Sequence, residues 1–126
     1  MIESDALMVG RFKGVLDMNE AVRIVEFIEI KEANCETGFH RFCDLTTLDG
    51  INLSTSDVLA LADRRRAFNP NYVSVKSAFL ATDPLAFGIA RMYEQLLKSP
   101  RIEVSVFNEL ETAAEWLGVK PDQLKL

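Results

Sequence analysis

The 126-residue sequence has no excess of basic charge: 14 Lys+Arg stand against 19 Asp+Glu, for a formal charge of −5 and a pI near 4.9. That balance argues against nucleic acid as a partner and disfavours an anionic membrane surface. Long apolar runs are missing too, none approaching the roughly 18 residues that a membrane span requires. The first residues, Met1-Ile2-Glu3-Ser4-Asp5, carry acid where a secretory signal carries base. A soluble, cytoplasmic protein is therefore expected. Cysteine is scarce: Cys35 and Cys43 are the only two, and in a chain without an export signal they are expected to be reduced thiols on which the fold does not depend. Repeats, low-complexity tracts and long linkers are also absent, so residues 1–126 are expected to form one domain with a loose tail over 118–126. No self-sufficient catalytic signature stands out. What is present is 48% apolar content, that of a folded core.

The apolar spacing predicts four strand and helix pairs. Residues 6–14 carry a partial alternation through Leu7 and Val9, with Gly10 suggesting a bend or bulge. Asp17 followed by Glu20 is a capping-box pattern opening a helix whose Ala21, Ile24, Val25 and Ile28 recur at i, i+3, i+4, i+7. Val22, Phe27 and Ile30 widen that stripe beyond what one sheet face needs, enough to seat a partner. A strand over 39–45 ends at Asp44. A polar connection then leads to Ser54, an N-cap with Asp57 at N3, and a helix that ends in Arg64-Arg65-Arg66. After the turn Asn69-Pro70-Asn71, a third strand lies within 73–81. Asp83-Pro84 opens a third helix, which runs to about Lys98 and is stopped by Ser99-Pro100. Residues 102–107 alternate as a fourth strand, and Asn108, with Glu111 three positions on, caps a last helix that Gly118 terminates. Alternation of this kind forces crossovers, hence an α/β fold with a four-stranded, mainly parallel sheet in (βα)4 order covered by helices. In such sheets ligands sit at the carboxyl ends of the strands, which directs attention to 44–54, 81–84 and 107–109.

Those segments carry a resemblance. Asp44-Leu45-Thr46-Thr47-Leu48-Asp49-Gly50-Ile51 leads into Ser54-Thr55-Ser56. Phe87-Gly88-Ile89-Ala90-Arg91-Met92-Tyr93 follows, and then Ile102–Phe107 with Glu111-Thr112-Ala113-Ala114-Glu115-Trp116-Leu117. Together, over roughly residues 6 to 118, they resemble the bacterial SpoIIAA-like proteins of the STAS superfamily. The resemblance implies a small βα unit, generally without enzymatic activity, that works through protein contacts, with some relatives proposed to bind small apolar or nucleotide ligands. The best-understood relatives are anti-sigma-factor antagonists, switched by phosphorylation of a Ser at the start of the helix after the Asp-ending strand; Ser54, Thr55 and Ser56 occupy that stretch here. The usual Asp-Ser-Ser-Gly run is lacking, since Thr55 precedes Ser56 and Asp57-Val58 follow it. An Asp beside a phosphoserine repels it, whereas a helix N-terminus favours it.

Each constellation also has a plain structural reading. Ser54, Thr55 and Ser56 are first of all cap residues. His40, Cys35 and Cys43 offer three ligand types without a fourth nearby, so no metal or other cofactor is expected. As a catalytic pair His40 and Cys43 fail, because an odd separation on a strand puts them on opposite faces. Arg64, Arg65 and Arg66 read as a solvated helix end. Gly88, unfavourable inside a helix, implies close approach of a neighbour or ligand, and Phe87, Arg91 and Tyr93 could form a ligand rim or subunit contact. Asp44, Asp49 and Asp83 are expected at one sheet edge, where capping and turn formation explain them.

The reading is a non-enzymatic regulatory or protein-interaction module, switched near the start of the second helix, whose protein partner the sequence does not name. The alternative is a carrier for a small apolar or anionic ligand, held between the second and third helices near Phe87 and Arg91. Contact residues for partner or ligand would be drawn from Asp44, Asp49, Thr82, Phe87, Gly88 and Arg91. A homodimer is compatible with the broad apolar face of the first helix.

Overall fold

The computed structural model describes residues 2–3, 7–68 and 74–125; the expected turn at 69–71 and the first residue of the third strand, Val73, lie outside them. The chain is α/β, with four parallel strands at its centre. These are β2 (Leu7–Arg11), β4 (His40–Asp44), β6 (Val75–Leu80) and β7 (Ile102–Phe107). The short β1 (Ile2–Glu3) adds antiparallel to β2, for an order β1-β2-β4-β6-β7. A second, two-stranded parallel sheet pairs β3 (Gly14–Asp17) with β5 (Leu48–Asn52).

Beyond the expected four strands, three short ones are thus new. Two of them disguise themselves in the sequence: β3 opens on Gly14 at φ +76°, and β5 reads Leu-Asp-Gly-Ile-Asn, turn chemistry rather than strand chemistry. The irregularity expected at Gly10 is absent, since Gly10 stays in register with Cys43. It falls instead between Gly14 and Val15.

Helices α1 (Met18–Ala33), α2 (Thr55–Ala67), α3 (Pro84–Leu97) and α4 (Leu110–Leu117) begin close to where the sequence places them. Asp17 accepts the Glu20 N–H, and Ser54 and Asp57 form a reciprocal capping box. The Asp83 carboxylate accepts from both Leu85 and Ala86, with Pro84 at the first helical position. The expected cap at Asn108 is not there: Glu109 holds the N-cap position of α4 without a side-chain bond. Within the expected tail, Pro121–Leu124 forms a 3₁₀ turn that buries Leu124 in the core.

The strand order explains how the helices divide. From β2 to β4 to β6 to β7 each parallel strand is added on the same side of the one before. Crossovers are right-handed, so α1, α2 and α3 all fall on one face of the sheet. Only α4, which follows the last strand, is free to fold back on the other face, where it packs with Phe42, Val9, Ala78 and Leu124. Because the order never reverses among the parallel strands, there is no switch-point crevice at their carboxyl ends.

Candidate functional site

A cavity of about 120 Å³ opens between the sheet and the three-helix face. Its floor is made by alternate residues of the central strands, among them Arg41, Cys43, Ser77 and Phe79. Period-two alternation places these together on the face opposite Phe42 and Ala78. The roof comes from Ile24 and Ile28 of α1, Val58 and Leu61 of α2 and Tyr93 of α3, and the β3-β5 sheet closes one end with Leu16 and Ile51. The surface it presents is almost wholly apolar. A dry apolar cavity of roughly 150 Å³ is enough to bind benzene.

Charge gathers beside the cavity. Glu32 accepts from Arg41 at 2.6 Å and from Arg65 at 2.6 Å, while Glu29 accepts from Arg64 at 2.7 Å and from Arg65 at 3.4 Å. Arg41 and Arg65 are only 3% and 4% exposed. Arg41 also donates to the Phe39 carbonyl at 3.0 Å and stacks over the Phe39 ring, 4.4 Å from its centroid. Burial lowers the pKa of its guanidinium, against the pull of Glu32. Its Nε is buried with no hydrogen-bond partner among the described residues. These pairs tie α1 to α2 and β4; of the expected solvated helix end, Arg64 and Arg66 are exposed and Arg65 is buried. Arg66 pairs with Asp63 on its own helix and donates to the carbonyls of Leu96 and Leu97 at the end of α3.

Tyr93 packs edge-on against Phe79, with centroids 5.8 Å apart. Burial pushes its hydroxyl up to about 12, so it stays a proton donor at neutral pH, with Arg65, Cys43, Arg41 and Glu32 as its charged or ionisable neighbours. Burial likewise pushes the Cys43 thiol up to about 12, where it is inert as a nucleophile. His40 points to the other face and accepts the Lys76 N–H at Nδ1, 2.9 Å away. Both cysteines are free thiols.

Of the residues singled out from sequence, Tyr93 and Cys43 line the cavity, whereas Asp44, Asp49, Thr82, Phe87, Gly88 and Arg91 lie outside its wall. Asp44 is buried and occupied, its carboxylate accepting from Arg11 at 3.1 Å and from the Thr46 N–H and hydroxyl at 2.9 and 2.6 Å. Asp49 and Thr82 are exposed. Arg91 pairs with Glu94 at the surface, and Phe87 packs against Leu45 and Ala86. Gly88 corrects an expectation: it is exposed, and a Cβ there would meet nothing within 4 Å. Packing within the described residues does not require it. Thr55 is exposed, and the exposed hydroxyls of Ser54 and Ser56 lie 3.0 Å apart. Two neighbours of that segment, Leu53 and Val58, line the cavity. Among the described residues there is no cluster of metal-ligating side chains and no helix long and apolar enough to cross a membrane.

Sequence reasoning missed Arg41, Ser77 and Arg65. A signal for the first two existed: polar residues on the central strands of a parallel sheet, where both faces are covered, are out of place unless something pairs with them.

A crystal structure of an uncharacterised protein from the DUF3478 family with a SpoIIAA-like fold, from Shewanella loihica PV-4, matches this architecture. The TM-score is 0.53, with 22% sequence identity over 85% of this chain and 81% of that one. The chain has a SpoIIAA-like fold. No protein-family model matches the sequence, and no curated protein matches it.

Proposed function

We propose that this protein is a non-enzymatic binding module that holds a small apolar molecule between its sheet and α1–α3. The cavity supports the reading: protein interiors are close-packed, and an apolar void of this size beneath three helices is seldom left without a use. The side chains around it do not pair into acid, base and nucleophile, with Cys43 and His40 on opposite faces and the thiol held protonated. Carriage rather than turnover fits that chemistry. A native mass spectrum of gently purified protein tests it, with binding of added benzene followed by amide chemical shifts. Shifts clustered on cavity residues such as Ile28, Val58 and Phe79 are expected. A bare polypeptide mass together with no benzene response would overturn the reading.

A regulatory role is the second reading, favoured by the position of Ser54 and Ser56. Their hydroxyls are exposed at the α2 N-terminus, between Leu53 and Val58, both of which line the cavity wall. Ser54 is committed to its capping box, so Ser56 is the hydroxyl that can change without uncapping the helix. Modification there or filling of the cavity would alter the same surface, the start of α2 and its adjoining loop, offered to a protein partner. Ser56→Asp should change capture of that partner, and unaltered capture would count against the switch.

A further inference from the structure

The cavity wall contains two charged side chains among the described residues, Arg41 and Arg65, and both are cationic; no carboxylate lines it. Three donors there stand unused. Arg41 Nε is buried without a hydrogen-bond partner, and neither the Ser77 nor the Tyr93 hydroxyl has one among the described residues. Topology brings the three together. Arg41 and Ser77 are register partners on adjacent strands. Tyr93 packs on Phe79, two residues beyond Ser77 on the same face, and has Arg41 and Arg65 among its electrostatic neighbours. An unfilled buried donor such as Arg41 Nε costs about what a lost hydrogen bond does, so it persists where something fills it.

We propose that the ligand of this cavity is a small monocarboxylic acid, its apolar body under α1–α3 and its carboxylate held by Arg41 Nε with the hydroxyls of Ser77 and Tyr93. The inference rests on the binding-module reading above and names the ligand class for that site. A carboxylate suits the donors better than a phosphate does. Both terminal nitrogens of Arg41 are already engaged, by Glu32 and the Phe39 carbonyl, so the fork that would grip a dianion is occupied, and Nε is the one guanidinium nitrogen without a partner, beside the two hydroxyls. A cation is disfavoured by both arginines. A neutral hydrocarbon fills the space and leaves the three donors empty.

Benzene and benzoate are the probes, titrated separately and followed by amide chemical shifts and calorimetry at neutral pH. Wild-type protein is expected to bind benzoate at least about tenfold more tightly than benzene, the scale of one charge-assisted bond. Ser77→Ala and Tyr93→Phe should each weaken benzoate several-fold while leaving benzene unchanged. Arg41→Gln should remove the preference altogether, and the two milder variants keep the test open if that one fails to fold. Equal affinity for the two probes would overturn the carboxylate and leave the cavity reading standing; binding of neither would overturn both. A benzoate preference that survives both Ser77→Ala and Tyr93→Phe would overturn this placement of the head group.

Discussion

The two faces of the sheet solve the same burial problem in opposite ways. On the α4 face, Phe42 is fully buried and packs with Val9, Ala78, Ala113 and Leu117 in a cluster without charge. On the three-helix face, the same strands contribute Arg41, Cys43 and Ser77, a cavity remains, and α1 is tied to α2 and β4 by ion pairs. The strands are shared, so the difference comes from which side chains alternation sends to each face. One face holds by apolar contact alone, whereas the other adds buried charge to its apolar clusters and has a cavity.

The comparison breaks first at its two anchors. Phe42→Ala, which empties the closed face, should cost about 3–5 kcal/mol in denaturant unfolding. Glu32→Gln, which leaves Arg41 and Arg65 without the carboxylate between them, should cost about 3 kcal/mol, the low end for a broken buried pair because Glu32 keeps some solvent contact. Raised salt should narrow the gap between Glu32→Gln and wild type only slightly, since buried pairs are poorly screened. A strong salt dependence would mean that the latch is open to water.

Added volume sharpens the contrast. Ala113→Leu on the α4 face is expected to destabilise by about 1–3 kcal/mol, the usual penalty of overpacking. Ala90→Leu, equally buried on α3 but on the cavity wall, has empty space to enter and should cost clearly less, while abolishing any benzene response. Equal penalties would show that the cavity closes up in solution. Next in size is Gly88→Ala: the exposed site has space for a methyl group, so helix propensity predicts a gain of about 0.5–1 kcal/mol. A loss would restore a packing or ligand role for that glycine.

What was legible in the sequence follows the same division. Local chemistry spoke clearly: Asp17, Ser54 and Asp83 cap the helices they were expected to cap, and the four parallel strands lie where alternation and length placed them. The cap assigned to Asn108 failed because a neighbouring residue, Glu109, took the boundary without a side-chain bond, which no local pattern distinguishes. The site was hidden for another reason. Strand order decides that three helices share a face, and strand order is a long-range property. Sequence patterns point to the strand ends and to Phe87, Arg91 and Tyr93; of these three Tyr93 lines the cavity, whose floor under the helices carries Arg41 and Ser77. The pairing of Glu29 and Glu32 with Arg64 and Arg65 links positions over 30 residues apart that no periodicity connects.

The smallest expected effect is a pH dependence confined to the closed face. His40 accepts the Lys76 N–H at Nδ1, which is possible only while that nitrogen is unprotonated. Burial, with Lys76 and Arg41 nearby, lowers its pKa from the usual 6.5. Between that usual value and the lowered one the unfolded chain binds more protons than the folded one, so stability is complete above about pH 6.5 and declines as pH falls through this window. His40→Gln keeps an acceptor and removes the titration. Its stability relative to wild type should therefore rise between about pH 7.5 and about pH 5, whereas benzene binding in the cavity on the other face should keep the same pH profile in both proteins. A change in binding that tracks His40 would mean that the two faces communicate through β4, and the separation drawn between them would fail.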